Sequence, residues 1–257
     1  MKISVITVVH NDKEHIVHTI DSVASQTARD CMEYIVVDGA STDGTSDLIR
    51  QHQSQVDVYI CEKDSGIYNA MNKGMRHATG DFAIFMNSGD SFCSPDVVER
   101  VLNAIGQAPQ IPNLLYGDYR TMNGASFSRP IPARRYDKIW YGQVASHQST
   151  FFNLNFLRSQ GLQYDESYKI AADYKLALQV IRLSNGNVLQ VPICVSNFDV
   201  TGVSTLNQNF GLSEANRARR EVLGWGWPKE MALTCLQLIT RVVRLHGGVI
   251  YKILRRL

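Results

Sequence analysis

Apolar runs and amphipathic stretches alternate along the first 107 residues of the chain. Four runs rich in Val, Ile and Phe are typical of buried strands, and each is followed by apolar residues at helical spacing. The strand-like runs are residues 3–9, 34–37, 57–61 and 82–86, and the helical stretches are 13–26, 45–53, 66–78 and 94–106. Four strand–helix repeats predict an α/β fold with a Rossmann-like, mostly parallel central sheet that helices flank.

After residue 107 the pattern changes to mixed strands and short helices. We predict strands at 113–119 and 149–152, helices at 153–161 and 173–184, and a pair of strands within 188–198 interrupted at Pro192. We interpret residues 1–107 and 108–205 as two halves of one domain, the second half supplying the partner side of the site. Residues 206–257 are interpreted as a C-terminal helical extension.

The end of this extension is basic and amphipathic. Residues 231–257 include five Lys or Arg and no Asp or Glu. A polar stripe opposes a surface rich in Leu, Ile and Val, and it consists of Thr234, Gln237, Arg241 and Arg244. After Gly247-Gly248 a second basic helix is predicted. Such helices suit the interface of an anionic membrane leaflet, and the alternative is a helix that packs on the domain with a solvated basic face.

Composition and charge narrow the class of protein. The 257 residues are 44% hydrophobic and 19% charged, as in a folded protein, and a net charge of +2 gives no argument for nucleic-acid binding. The five cysteines form no CxxC pair and mostly lie in apolar runs, which indicates buried free thiols in a reducing compartment. The N-terminal apolar run is too short for a signal peptide or a membrane span. We therefore expect a cytoplasmic protein.

Polar residues follow each of the first four predicted strands, in the loops 9–12, 38–44, 62–66 and 87–90. Parallel strands end at one edge of the sheet, so these loops predict a polar crevice where α/β proteins bind ligands. The first strand is not followed by GxGxxG, and the chain has no GxxxxGK[ST], which argues against dinucleotide and P-loop sites. A phosphate-bearing ligand here would need a cation, and the Asp90 carboxylate suits Mg²⁺ or Mn²⁺.

Five motifs in order carry a resemblance to a known family. They are VVDGASTDGT, DSGIYNAMNKGMRHATGD, FMNSGD, ASHQSTFF and AADYKLAL. Over residues 2–205 the chain resembles family-2 glycosyltransferases of the GT-A fold, above all bacterial enzymes of exopolysaccharide, colanic acid and O-antigen assembly. The resemblance implies an inverting transfer of a sugar from a nucleotide-diphosphate donor, with uridine favoured as the base and with a divalent metal, Mn²⁺ or Mg²⁺, as cofactor.

The resemblance also assigns roles to individual residues. Asp173 is the general base, Asp90 the metal ligand, Thr7, Asp38, Asp64, Lys73 and Ser88 contact the nucleotide sugar, and His147 and Gln148 lie on the acceptor side. Ser88 stands where the family usually has the first Asp of its metal motif, so Asp90 would be the main ligand. The ordinary alternatives are a turn for Asp90 and a helix N-cap for Asp173.

The implied partners are a nucleotide-sugar donor and a glycan or lipid-linked oligosaccharide acceptor in cell-surface polysaccharide synthesis. The expected location is peripheral, on the inner face of the cell membrane. A nucleotidyltransferase that makes nucleotide sugars is one alternative, but it would want a glycine-rich basic loop after the first strand, and VVHNDKEH has no glycine. A catalytically inactive protein that binds nucleotide sugars is the other alternative, and the presence of Asp90 and Asp173 argues against it.

Overall fold

A computed structural model of the chain describes residues 1–124, 126–199 and 208–246. Its strands are β1 Ile3–Val9, β2 Met32–Asp38, β3 Val58–Cys61, β4 Phe82–Phe85, β5 Ser91–Phe92, β6 Leu114–Asn123, β7 Ser126–Phe127, β8 Thr150–Asn153 and β9 Val188–Asp199. Its helices are α1 Ile16–Ala24, α2 Thr45–Gln51, α3 Ile67–His77, α4 Val97–Gln107, α5 Leu154–Ser159, α6 Ala172–Leu183, α7 Gln208–Leu223 and α8 Trp227–His246.

The strands form one sheet in the order β3-β2-β1-β4-β8-β6-β9-β5, with β7 paired to β6. The four strands β3, β2, β1 and β4 are parallel, as the strand–helix repeats predict. The second half adds antiparallel pairs of β8 with β4 and with β6. The chain is therefore a mixed α/β protein in which both predicted halves share a single sheet.

The sheet separates two apolar cores. β1 and β2 are buried along their whole length because helices cover both faces. Side chains of β1 alternate between the cores, so that Ile6 and Val8 pack with α3 and α6, whereas Ile3 and Val5 pack with α1 and α4. This packing fixes the strand ends, and with them the loops that follow.

β9 runs unbroken from residue 188 to residue 199, so the predicted interruption at Pro192 is wrong. The register of its pairing with β6 shifts between Tyr116 and Asp118, opposite the segment that contains Pro192. A bulge at this point accommodates a residue that has no N–H to donate to the ladder. β6 also continues beyond residue 119, where the sequence pattern ends it.

The first helix of the predicted extension belongs to the domain. α7 packs on α6, and its Ala218 and Val222 are buried in the same core as α6. α8 contacts the domain through Gln237, whose Nε2 donates to the Tyr141 carbonyl at 2.9 Å. Gln237 belongs to the predicted polar stripe, so this part of the stripe faces the domain.

The outward side of α8 carries several large apolar side chains. Its exposed side chains include Trp227, Met231, Leu238 and Ile239. The second predicted basic helix, at 248–257, lies outside the described residues, and so do residues 200–205 of the predicted second half. No helix of the described part is long and apolar enough to cross a bilayer.

The five cysteines are free, as expected, but the expectation that they are buried is wrong, since none of them is. Cys31, Cys61 and Cys235 are exposed, and Cys93 and Cys194 are half-buried.

Candidate active site

Hydrogen bonds join the loops at the carboxyl ends of β1, β2 and β4. The Asn11 backbone N–H donates to Ser41 Oγ at 2.8 Å, and Asn11 Oδ1 accepts from the Thr42 N–H at 2.8 Å. Ser88 Oγ, in the loop after β4, donates to Asp12 Oδ2 at 2.7 Å. Because these strands are parallel, their ends meet at one edge of the sheet, where these polar loops lie together.

Asp38 ends β2 with its side chain fully buried. Its Oδ1 accepts from the N–H and the hydroxyl of Ser41 at 2.9 and 2.6 Å, and its Oδ2 accepts from the hydroxyls of Ser46 and Tyr59. Burial acts to raise the pKa of Asp38, but the hydrogen bonds from Ser41 and Ser46 outweigh it and hold the pKa below its usual value. Asp38 therefore orders its own loop, and with no exposed surface it cannot touch a nucleoside as predicted.

Thr7 is also inside the protein. Its side chain has 0% exposure, and its Oγ1 donates to the Met86 carbonyl at 2.6 Å and lies 3.0 Å from the Tyr34 hydroxyl. Since the Thr7 hydroxyl is enclosed between neighbouring strands, the predicted contact of Thr7 with the nucleotide base is wrong for this conformation. Thr7 instead connects β1 to the segment that leads into the loop after β4.

Lys73 of α3 holds the loop after β3. Its Nζ lies 2.7 Å from Asp64 Oδ1 and 2.9 Å from Glu62 Oε1, and it donates to the Lys63 carbonyl at 2.8 Å. These contacts engage the ammonium group within this loop, so the structure gives no support to the predicted contact with a donor phosphate. Asp64 lies close to the loop after β2. A Cβ at Gly39 in that loop would be only 3.1 Å from Asp64 Oδ2.

The loop 87–90 is a turn held by α1. The Asp90 N–H donates to the Asn87 carbonyl at 3.0 Å, and Gly89 adopts a φ of +94° that favours glycine. Thr19 of α1 closes the loop, since its Oγ1 donates to the Asp90 carbonyl at 2.8 Å and accepts from the Gly89 N–H at 3.0 Å. Sequence reasoning missed Thr19, because a polar residue inside a helical apolar pattern gives no signal of its own.

Asp90 is a buried carboxylate between neutral donors. Only 3% of the residue is exposed, its Oδ2 accepts from Gln148 Nε2 at 2.8 Å, and its Oδ1 accepts from the Asp199 N–H at 2.9 Å. Burial raises the pKa of Asp90 to about 7, and the negative charge of Asp199 acts in the same direction. Gln148, predicted on the acceptor side, therefore orients the predicted metal ligand.

The residues around Asp90 fit a divalent cation that is shared with a ligand. The donor atoms are oxygens, which Mg²⁺ and Mn²⁺ prefer, and Asn87 Oδ1 is buried beside the cleft without a hydrogen-bond partner. Within the described ranges, no three His, Cys, Asp or Glu residues group closely enough for a cage made by the protein alone. Mg²⁺ commonly needs only one or two protein carboxylates, with substrate phosphates supplying further oxygens.

A cleft of about 760 Å³ extends from this loop towards α6. Its walls include Asn87, Gln148, Gln143, His147 and Asp173. Gln148, which hydrogen-bonds Asp90, and the predicted base Asp173 therefore border one cavity. The cavity is of a size that holds a small-molecule ligand.

Asp173 lies in the first turn of α6, as its second residue and not as its N-cap. Its Oδ1 accepts from the Tyr174 N–H and its Oδ2 from Gln143 Nε2, both at 2.7 Å. Burial raises the pKa of Asp173 to about 6, against the opposing effect of these donors. At neutral pH Asp173 is thus an ionised carboxylate that can accept a proton. Gln143 had no motif to mark it in the sequence.

His147 packs in an aromatic cluster at the cleft wall. Its ring stacks on Phe85 with centroids 5.2 Å apart, and its Nε2 lies 3.4 Å from the Tyr164 hydroxyl. Burial lowers the pKa of His147 to about 4, so the ring is neutral at physiological pH. It borders the cleft without carrying a charge, and its role on the acceptor side stays a prediction.

Comparison with known proteins places this arrangement in a family. The model of Glycosyl transferase family 2 matches residues 4–156. An uncharacterized glycosyltransferase of Mycobacterium tuberculosis is 32% identical over 204 residues, which cover 79% of this chain and 77% of the relative. A PGL/p-HBAD biosynthesis glycosyltransferase of Mycobacterium bovis is 30% identical over 197 residues, covering 76% and 72%.

Solved structures agree on the fold. S. aureus TarS 1–349 in complex with UDP-GlcNAc has a TM-score of 0.70 at 16% identity, covering 96% of this chain and 75% of that one. The chain has the GT-A fold and belongs to Glycosyl transferase family 2. The family and fold expected from the five sequence motifs are confirmed.

Proposed function

We propose that this protein is an inverting glycosyltransferase that transfers a sugar from a nucleotide diphosphate, in particular a UDP-sugar, to a hydroxyl group of a cell-surface glycan or its lipid-linked precursor. The observation that carries this proposal is the ionisable carboxylate of Asp173 on the wall of the cleft that reaches the loop 87–90. Membership of the family supports the reaction class.

Asp173 acts as general base. The acceptor oxygen attacks the anomeric carbon as its proton passes to the Asp173 carboxylate, and the bond from that carbon to the diphosphate oxygen breaks. The bonding electrons leave with the nucleoside diphosphate. A positioned base of this kind contributes roughly 10²–10⁴ in rate. The position of Asp173 at the N-terminal turn of α6 helps to keep it ionised at neutral pH.

Asp90, with Asn87 beside it, would hold a divalent cation against the donor diphosphate. The cation supplies Lewis-acid stabilisation of the charge on the departing diphosphate. The chain's own part is to hold Asp90 rigidly through Gln148 and the Asp199 N–H.

The UDP-GlcNAc complex of S. aureus TarS supports a uridine donor. The identity of the sugar is open to a direct screen, in which UDP- and GDP-sugars are compared by thermal shift with Mn²⁺ present. We expect UDP-sugars to raise the melting temperature and GDP-sugars to leave it nearly unchanged.

The acceptor side of the proposal includes a membrane surface. The outward side of α8 exposes Trp227 to 69%, Leu238 to 56% and Ile239 to 57%, and such an apolar surface fits a lipid interface. We propose peripheral binding at the inner face of the cell membrane, through this side of α8.

The decisive experiment compares wild-type protein with Asp173→Asn. We expect the variant to lose transfer while its affinity for the donor, measured by calorimetry, stays within a few-fold of wild type. Asp137→Asn is a matched control, because Asp137 is exposed and pairs with Arg135. Release of pyrophosphate instead of UDP would indicate a nucleotidyltransferase, and the absence of both transfer and slow donor hydrolysis would indicate a binding protein.

A further inference from the structure

Two buried charged side chains of α7 hold the segments on either side of the candidate base. Glu214 is 6% exposed and Arg219 is 1% exposed. Charged side chains are almost never buried so fully unless they are paired or hydrogen-bonded, because desolvation of an ion is costly. Both residues lie in the part of the chain that sequence analysis assigned to an extension.

Glu214 binds the backbone that leads into α6. Its carboxylate accepts three hydrogen bonds from the N–H groups of Lys169, Ile170 and Ala171, at 2.7, 2.8 and 2.9 Å. Hydrogen bonds from N–H groups to an ionised carboxylate are short and strong. The next two residues along the chain are Ala172 and Asp173, so Glu214 fixes the start of the turn that presents Asp173.

Arg219 binds the other segment. Its Nε donates to the Trp140 carbonyl at 2.8 Å and its Nη2 to the Tyr141 carbonyl at 3.3 Å. Nε also contacts the Tyr174 hydroxyl at 3.1 Å, and that hydroxyl donates to the Ile139 carbonyl at 2.8 Å. Arg219 therefore fixes the segment 139–141.

The two segments meet at the cleft. Gln143, two residues beyond Tyr141, donates to Asp173 Oδ2 at 2.7 Å. One helix thus holds both ends of this hydrogen bond, through a carboxylate on one side and a guanidinium on the other. The geometry points to Glu214 and Arg219 as positioning residues for transfer, which set the orientation of the Asp173 carboxylate without touching substrate. This inference rests on the proposed role of Asp173 as the base.

The test is steady-state kinetics of Glu214→Gln. An amide keeps the shape but turns an N–H₂ group towards backbone donors, so the segment 169–171 must shift. Misplacement of a catalytic group by about 1 Å can cost about 100-fold in rate. We expect kcat to fall roughly 10- to 100-fold while KM for the donor stays within about three-fold. Glu221→Gln is the matched control, because Glu221 lies on α7 and binds α6 through Lys175 at its exposed side.

The pH dependence of kcat distinguishes a positioning role of Glu214 from a merely structural one. The titratable groups that face Asp173 are Glu214 from α7, Tyr68 from α3 and Tyr164 from the segment before α6. Burial is the main cause of the raised pKa of Asp173, and the negative charge of Glu214 adds a smaller effect in the same direction. Its removal should therefore move the acid limb of kcat to lower pH, whereas a merely structural role would lower activity equally at all pH values.

For Arg219, comparison of a conservative variant with an uncharged one tests the positioning role. Arg219→Lys keeps the charge and N–H donors, though not the planar guanidinium, and should retain more kcat than Arg219→Met. Amide hydrogen exchange supplies a readout without catalysis, and faster exchange at 169–171 is expected in Glu214→Gln. If Glu214→Gln matches Glu221→Gln in kcat, pH profile and exchange, the positioning role is wrong. If instead Asp173→Asn keeps full turnover, it is the base assignment that fails.

Discussion

Replacement of Asp173 by Asn should make the protein more stable while it abolishes transfer. An unfolded Asp titrates near 3.8, but burial in the folded protein raises the pKa of Asp173 to about 6. At neutral pH the folded protein therefore contains an ionised group that its surroundings disfavour, and this lowers the free energy of unfolding. Asn keeps the acceptor for the Tyr174 N–H, can donate to the Gln143 amide oxygen once that amide turns over, and never ionises.

The displacement of the pKa from 3.8 to about 6 corresponds to an upper limit of about 3 kcal/mol. Asp173 borders the cleft, where water recovers part of this cost, so we expect a gain of about 1–3 kcal/mol in the free energy of unfolding. For a domain of this size, each kcal/mol raises the melting temperature by about 2–4 °C. The gain is fully present above pH 6, shrinks as the pH falls through the folded value, and is absent below 3.8, where Asp173 is protonated in both states.

The assay is urea unfolding of wild type, Asp173→Asn and the control Asp137→Asn at pH 7.5 and pH 4. A higher midpoint for Asp173→Asn at pH 7.5 that largely disappears at pH 4, with transfer lost, is the expected result. Equal midpoints at pH 7.5, or a gain of the same size at both pH values, would refute the reasoning, because burial would then not be what holds the pKa up.

Further outcomes follow from the same contacts. For wild-type protein, kcat should fall as the pH drops below about 6, where Asp173 becomes protonated, and a flat profile from pH 5 to 8 would argue against it as the base. Asp90→Asn should lose both activity and the effect of Mn²⁺ on donor affinity, which calorimetry with and without EDTA measures. Full wild-type activity in excess EDTA would remove the metal from the proposal. Thr7→Val should lower the free energy of unfolding by about 1–3 kcal/mol, through unpaired buried groups, and leave donor affinity unchanged. Ile239→Asp should reduce sedimentation with anionic liposomes while Lys138→Asp does not; equal binding would exclude the exposed side of α8 as the membrane contact.

The first half of the fold was predictable because one pattern, apolar strands alternating with amphipathic helices, extends through it. Strands such as β1 and β2 are buried on both faces, and such strands read as continuous apolar runs that no other element explains. The parallel order then places the polar loops at one edge, so the crevice followed from topology. Pro192 was misread because the bulge that tolerates it is a property of the pairing with β6, which local sequence does not show.

Individual roles were harder to predict than the site. Thr7 and Lys73 lie where the motifs suggest, but their polar atoms are already satisfied by Met86 and by the loop after β3. Whether a donor is free depends on partners that are distant in sequence. The same limit explains why Glu214 was missed, since its three partners are backbone N–H groups that leave no trace in residue type.

A contrast between acids supports the assignment of the site. Asp165 pairs with Lys175 at 2.7 Å, and although burial opposes it, this ion pair lowers the pKa of Asp165 to about 2. Asp90 and Asp173 have the opposite surroundings: their donors are amides and backbone N–H groups, none of the ion pairs among the described residues includes either acid, and their pKa values are raised. A cationic partner would have neutralised each charge inside the protein. Neither acid is neutralised by a cation of the protein itself, which suits the proposed roles of binding a cation with a diphosphate at Asp90 and of accepting a hydroxyl proton at Asp173.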